Sequence, residues 1–288
     1  MNLPAEDYRC YNHPDREAYI SCQRCERLIC PECMREASVG FQCPSCIAEG
    51  AKSIRQPKTV AGGAISGREG IVSMVLIGLN VVGFLLTMAT GGNSGSVFRS
   101  GAMLSTSALT SSGELLTGVA DGDYWRLLTS TFLHRDILHI AFNMYALYLF
   151  GPYVERALGI PRFIAAYLTV AIMGSVFVYL LSAPNALTIG ASGAVFGLFG
   201  LALVLLLKAK QDVRTLLVLL GINAFISVAA PSISWQGHLG GFIGGLILGV
   251  AFAYAPRDRR GLVQVLVFAV VWVAMIAAIV LRTMDLTT

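Results

Sequence analysis

The sequence predicts an all-α polytopic membrane protein preceded by a small cysteine-rich domain. Three observations lead there. The 288 residues are 55% hydrophobic and 13% charged, with mean hydropathy +0.67, too apolar for an ordinary soluble domain. All seven cysteines lie between Cys10 and Cys46, inside a polar N-terminal stretch. Behind that stretch runs a string of apolar segments, each close to the roughly 20 residues a helix needs to cross a bilayer. The formal charge of +4 is small, and no basic run with interleaved aromatics points to nucleic acid, so none is expected as a partner.

The first element is residues 1–50. Its cysteines read Cys10-x-x-His13, Cys22-x-x-Cys25, Cys30-x-x-Cys33 and Cys43-x-x-Cys46. Four pairs supply eight ligands, enough for two tetrahedral zinc ions, and every cysteine is used. A domain this small has little core, so metal binding is expected to supply its folding energy. The sites are closed and structural: two structural zinc ions, and none for catalysis. Two pairings are open. A cross-brace joins pairs one with three and two with four; sequential pairing is the alternative. The short gap between Cys25 and Cys30 resembles B-box-type cross-brace fingers. The module is expected to bind a cytoplasmic protein partner or to tether the chain. Met1 to Arg9 is polar and acidic, so no cleavable signal is expected.

Residues 51–70, rich in Gly, Ser and charge, read as a linker. Seven candidate spans follow, at 71–90, 136–156, 161–182, 188–207, 213–230, 236–255 and 262–281. The fifth is short and carries Asn223 and Ser227; the seventh is a clean apolar run, followed by a short tail ending at 288. Lys52, Arg55, Lys58 and Arg68 precede the first span. Arg156 and Arg162, then Lys208, Lys210 and Arg214, then Arg257, Arg259 and Arg260 flank every second connection. The loops around Pro184-Asn185 and Pro231–Ser234 lack Lys and Arg. The positive-inside rule then puts the N-terminus in the cytoplasm and the C-terminus outside, in the cell membrane. Cytoplasmic thiols stay reduced, which favours zinc over disulfides. The long loop at about 91–135 falls outside. Its Trp125-Arg126-Leu127-Leu128 and Phe132-Leu133 suit a segment lying in the bilayer interface.

Four polar residues stand inside apolar stretches, where polar groups are costly and usually functional. Ser192 lies in Gly190-Ala191-Ser192-Gly193, early in the fourth span. His238 lies in Gly237-His238-Leu239-Gly240-Gly241, early in the sixth. His139 and Asn143, four apart, share a face of the second. In the predicted topology these spans all run from outside to inside, so the four groups arrive at one depth, on the order of 10 Å below the outer surface. A nucleophile, a base and two oxyanion donors are the parts of a serine hydrolase. Gly237, Gly241, Gly245 and Gly249 recur every fourth residue on the sixth span, and Gly193 and Gly197 on the fourth. Small residues at that spacing let two backbones approach closely, which would bring Ser192 to His238. No acidic residue occurs within spans four to six, so a Ser–His dyad is expected, with Phe196 stacking on the imidazole. His134, in the preceding loop, reads as an interfacial or structural residue.

These residues resemble the rhomboid family of intramembrane serine proteases. Gly190-Ala191-Ser192-Gly193 matches its GxSG, His238 its base with the accompanying glycines, and His139-x-x-x-Asn143 its HxxxN. Trp125-Arg126 resembles its loop WR pair, and Glu155 the acidic residue closing its second span. The resemblance covers roughly 70–256 and implies a rhomboid-like six-helix core over 71–256, with residues 257–288 adding one C-terminal transmembrane helix and a short external tail. The full expected fold class is thus that core plus one helix, preceded by the zinc-stabilised domain. The implied activity is serine endopeptidase cleavage of single-span membrane protein substrates near the outer membrane surface. Ser192 is the implied nucleophile and His238 the general base. Asn143 and His139 stabilise the oxyanion together with the Ser192 N–H. One alternative is a catalytically inactive rhomboid-like protein that binds transmembrane helices; such a relative should lack the nucleophile or the base, and this chain keeps both. A transporter or channel would be expected to show inverted repeats or midplane charges, and neither is found.

Overall fold

The structure, a computed structural model, describes residues 8–53, 58–64, 69–110, 113–230 and 233–288. The start of the chain through Asp7, the basic residues Arg55 and Arg68, and Pro231-Ser232 lie outside the described residues. The chain divides into two compact units, Met1–Pro57 and Lys58–Thr288.

The first unit is built from two-residue strands. β1 (Ile20–Ser21) pairs antiparallel with β2 (Leu28–Ile29), and β3 (Arg35–Glu36) with β4 (Phe41–Gln42). Helix α1 (Pro44–Ser53) closes it, with proline at its first turn, where a missing N–H costs nothing. The buried apolar cluster consists of six of the cysteines plus Ala18 and Ile29. Two ordinary apolar side chains cannot offset the entropy of ordering some 45 residues, so the thiols must do more than pack.

The second unit is helical. α2 (Ile71–Ala89) leads into a long connection that holds α3 (Ser96–Gly101), the hairpin β5–β6 (Ala108–Leu109 and Leu115–Leu116) and α4 (Arg126–Thr129). Then come α5 (Ile137–Leu158), α6 (Ile160–Leu181), α7 (Ser192–Lys208), α8 (Arg214–Ala229), α9 (Trp235–Tyr254) and α10 (Arg260–Thr287). Each of the seven expected spans has an apolar helix. Five are long enough to cross a membrane, while α7 and α8, at 17 and 16 residues, are shorter. The fourth span was expected from 188 but its helix begins at Ser192. Thr188 is instead extended, exchanging both backbone hydrogen bonds with Met103 at 2.8 and 2.9 Å, and Gly190 takes φ +130°, which bars a helix there.

Helix ends are closed locally or by a neighbour. Asp136 caps α5, its carboxylate accepting from His139 N at 2.9 Å. Gly159 alone joins α5 to α6, at φ +80°. The N-cap of α2 is Gly70, which has no side chain to offer. Glu155 of α5 substitutes for it, accepting from Val72 N, Ser73 N and Ser73 Oγ at 3.1, 2.9 and 2.8 Å.

α7 is enclosed between α6 and α9, and glycines set the spacing. A Cβ on Gly241 would lie 1.9 Å from the Gly193 carbonyl oxygen, and one on Gly245 2.1 Å from that of Gly197. Gly174 of α6 approaches the same place less closely: its Cβ would meet Gly237 O at 3.0 Å and Gly193 Cα at 3.2 Å. Three backbones therefore meet at residues 174, 193 and 237. Without a hydrophobic drive in lipid, such close van der Waals contact is what holds helices together.

The long connection, expected to suit the bilayer interface, is held together by its own hydrogen bonds. It is a folded scaffold. Arg126 is 3% exposed; its Nε donates to Asp123 at 3.0 Å, and it donates to the Arg99 and Ala102 carbonyls at 2.7 Å each. With three acceptors at these distances the buried guanidinium is satisfied within the protein. Leu127 is buried too, and of this run only Trp125 and Leu128 face outward. Residues 58–64, in the stretch read as linker, are part of the second unit: Ala61 is fully buried, its N–H donates to the Ala157 carbonyl, and its carbonyl accepts from Gln264 Nε2 at 3.1 Å.

Candidate active site and metal centres

Ser192, His139, Asn143 and His238 lie at the end of the second unit that carries the long connection. Ser192 is delivered by a chain of tethers. Arg126 fixes residues 99–102, Met103 pairs with Thr188, and Gly190 N donates to the Ser130 carbonyl at 2.9 Å. The chain then turns into α7 with Ser192 as its first residue. The first N–H groups of a helix have no intrahelical acceptor, so those of Ser192 and Gly193 are not consumed by α7. They point, with the positive end of the helix dipole, to where an anion would be stabilised.

His139 approaches from α5. A Cβ at Gly190 would lie 2.7 Å from His139 Nε2 and 3.7 Å from Ser192 Oγ, so the ring nitrogen and the hydroxyl flank one point. Any side chain at 190 would occupy the space between them. Arg135 N donates to His139 Nδ1 at 3.4 Å, which makes Nδ1 the acceptor and leaves the proton on Nε2, the atom nearest Ser192. Asn143, 6% exposed, spends one amide N–H on the His139 carbonyl at 2.9 Å and keeps the other.

His238, 8% exposed, is held on two sides. Phe196, one turn along α7 from Ser192, stacks flat on its ring, with centroids 4.1 Å apart at 10°. This is the orienting contact expected from the sequence. On the other side its Nδ1 lies 2.6 Å from Ser227 Oγ of α8. Among the described residues no hydrogen bond joins Ser192 to His238. The shared Phe196 contact and the Gly193–Gly241 approach are what bring their helices together, and in unliganded sites such catalytic bonds are often long. Ser227 escaped the sequence reading, although Asn223-x-x-x-Ser227 in an otherwise apolar helix was visible as an anomaly.

His134 is not interfacial. It is fully buried, edge-on to His139 at 5.0 Å between centroids, and among the described residues neither ring nitrogen has a hydrogen-bond partner within ordinary geometry. Burial, reinforced by His139, pushes its pKa down to about 3, so the ring is neutral at physiological pH.

In the first unit the eight ligands form two clusters: Cys10, His13, Cys30 and Cys33, and Cys22, Cys25, Cys43 and Cys46. This is the cross-brace arrangement, pair one with three and two with four. Within each cluster the donor atoms all lie within 4.8 Å of one another. His13 Nδ1 is 3.3 Å from both Cys30 and Cys33 Sγ, and Cys25 Sγ is 3.7 Å from Cys43 Sγ. Zinc–sulfur bonds of about 2.3 Å in a tetrahedron put sulfurs about 3.8 Å apart, so the donors fit a zinc ion. Arg27 Nε donates to Cys25 Sγ and lowers its pKa. The Cys43 N–H donates to Cys22 Sγ, and the Cys46 N–H to Cys43 Sγ.

The family model for the rhomboid domain matches residues 121–255, which include all four catalytic candidates. The putative rhomboid protease YdcA of Bacillus subtilis is 35% identical over 148 residues, half of this chain and 74% of that protein. The rhomboid protease GluP of the same organism is 40% identical over 149 residues but is spanned for only 29% of its length. Rhomboid-like protease 1 of Toxoplasma gondii is 30% identical over 150 residues, 51% of its length.

Proposed function

Since the chain belongs to the rhomboid family, we propose that this multi-pass membrane protein is an intramembrane serine endopeptidase working by a Ser192–His238 dyad. The observation that carries the reading is the convergence of three helices on one point: Ser192 at the start of α7, His139 Nε2 across Gly190, and His238 clamped by Phe196. The names of the three similar proteins reported above, each called a protease, support the same class.

Ser192 Oγ attacks the scissile carbonyl while His238 takes its proton. The oxyanion is stabilised by the Ser192 N–H, by His139 Nε2–H and by the free Asn143 amide N–H. Collapse of the tetrahedral adduct breaks the C–N bond, and His238 returns the proton to the leaving amine. Water then hydrolyses the acyl-enzyme by the same route. Removing one oxyanion donor typically costs about 3 kcal/mol of transition-state stabilisation.

The substrates are single-span membrane proteins, cut near the outer surface at small residues. The orientation is N-terminus inside and C-terminus outside. It is supported by the gathering of Lys58, Arg156, Arg162, Lys208 and Arg257 at the end of the bundle away from the site. The first unit carries two structural zinc ions and presents a cytoplasmic surface for a protein partner.

The test is labelling by a fluorophosphonate probe in detergent or bilayer. Wild type should label, and Ser192→Ala and His238→Ala should not. A folded wild type that fails to label, yet retains transmembrane helices, moves the assignment to a helix-binding protein.

A further inference from the structure

We propose that Ser227 of α8 is a positioning residue that fixes the tautomer of His238, doing by a neutral hydroxyl what a carboxylate does in a Ser-His-Asp triad. The inference rests on the protease reading for its functional meaning, but its structural content stands apart from it.

The argument is a count of protons. Ser227 Oγ lies 2.6 Å from the Asn223 carbonyl oxygen and 2.6 Å from His238 Nδ1. A carbonyl only accepts, so the single hydroxyl proton of Ser227 must lie on the Asn223 side. Two oxygens at that distance with no proton between them would repel. The contact to His238 is then a hydrogen bond only if Nδ1 carries the proton and donates to Ser227 Oγ. That leaves Nε2 as the unprotonated nitrogen, the form a general base must have to receive the Ser192 proton.

A serine in a membrane helix that bonds only the carbonyl four residues back is ordinary. Ser227 differs because its remaining lone pair faces a buried ring. It is 4% exposed, His238 is 8% exposed, and among the described residues no carboxylate bonds the imidazole. Phe196 restrains the plane of the ring and Ser227 its rotation within that plane, so the two together define one orientation. The Asn223 amide is spent on the Leu219 carbonyl at 2.9 Å, so it does not compete for the ring.

The experiment uses the full chain in detergent micelles with 15N-labelled histidine, alongside fluorophosphonate labelling. Wild type, Ser227→Ala and Ser227→Thr are compared, and His238→Ala assigns the resonances among the four histidines. The expected wild-type spectrum has His238 protonated at Nδ1. Ser227→Ala should lose that single tautomer, and its maximal labelling rate should fall roughly ten- to a hundredfold with the half-saturating probe concentration unchanged. Ser227→Thr, which keeps the hydroxyl, should restore both readouts; a role limited to helix packing would move neither the tautomer nor the rate in this pattern. Wild-type His238 protonated at Nε2, or Ser227→Ala with an unchanged tautomer and rate, overturns the proposal. If the wild type does not label at all, the protease reading fails, and the tautomer measurement alone still decides the bond between Ser227 and His238.

Discussion

Replacing Gly241 by alanine adds one methyl group where the structure has no room for it. The new Cβ would sit 1.9 Å from the Gly193 carbonyl oxygen and 2.7 Å from its carbon. Ordinary van der Waals contact begins near 3.4 Å, so α7 and α9 must separate by roughly 1.5 Å along that line. The obstacle is backbone, which no rotamer change can remove. Overpacking of this kind costs about 1–3 kcal/mol in stability. The effect on chemistry is larger, because the displaced atom belongs to the residue after Ser192. A misplacement of about 1 Å at a reacting group costs on the order of a hundredfold in rate. Labelling at Ser192 should fall by that factor, and the thermal midpoint in detergent should drop. Gly78→Ala is the control, since its Cβ would meet nothing within 4 Å and a helical Gly→Ala change there should stabilise by about 0.5–1 kcal/mol. A Gly241→Ala protein that melts and labels like wild type would refute the claim that this contact sets the helix spacing.

Glu155→Ala should destabilise by about 2–3 kcal/mol, because it strips two backbone donors and a hydroxyl at the start of α2 of their acceptor; denaturation by SDS titration would read it, and Glu155→Gln should cost less. Elemental analysis should find two zinc ions per chain. Cys10→Ser with Cys30→Ser should leave one, and Cys10→Ser with Cys43→Ser should leave none; equal losses from both double variants would contradict the cross-brace. The buried neutral His134 makes stability depend on acid. Its folded pKa is depressed to about 3, so the unfolded chain binds a proton below about 6.5 that the folded chain refuses. Its contribution is fully present above that pH and is lost as the pH falls from about 6.5 toward 3, by at most about 1.4 kcal/mol per pH unit. The thermal midpoint between pH 7 and 5 should fall less steeply in His134→Phe than in wild type, and an identical slope would show that His134 is not the group responsible.

The positions legible in the sequence were those whose chemistry clashes with their surroundings. Ser192, His139, Asn143 and His238 are polar groups in apolar runs, and the seven cysteines and His13 form a regular pattern of paired metal-ligand spacings. Phe196 was readable because it lies one helical turn from Ser192. What stayed hidden was set by contacts between distant segments. The bridge from Met103 to Thr188 converts the first residues of an apparent span into extended chain, and nothing near Thr188 announces it. The role of Arg126 in fixing residues 99–102 was hidden because the Arg99 and Ala102 carbonyls are backbone atoms about 25 residues away, invisible to composition. Ser227 was seen but passed over, since a serine on a membrane helix is common and only its pairing with His238 gives it meaning.

Both units solve one physical problem, that burying ordinary apolar side chains does not drive their folding. The first has too few such side chains, and its interior is made of the thiols themselves. The second faces lipid, where leucine gains nothing by leaving its surroundings. Each therefore relies on short-range contacts of defined geometry: donor atoms gathered in two clusters in the first, glycine backbones touching in the second. Such contacts fail abruptly rather than gradually, because a single added methyl or lost thiolate has no soft neighbour to absorb it. That same stiffness suits the site. Ser192 stands at the start of the helix whose carbonyls at 193 and 197 are pinned against α9, the helix that carries His238. The proposed nucleophile and base are thus mounted on two helices whose backbones touch. Ser227 reaches His238 from a third helix, α8, so the orientation of the imidazole rests on a side-chain contact, while the spacing of α7 and α9 rests on touching backbones.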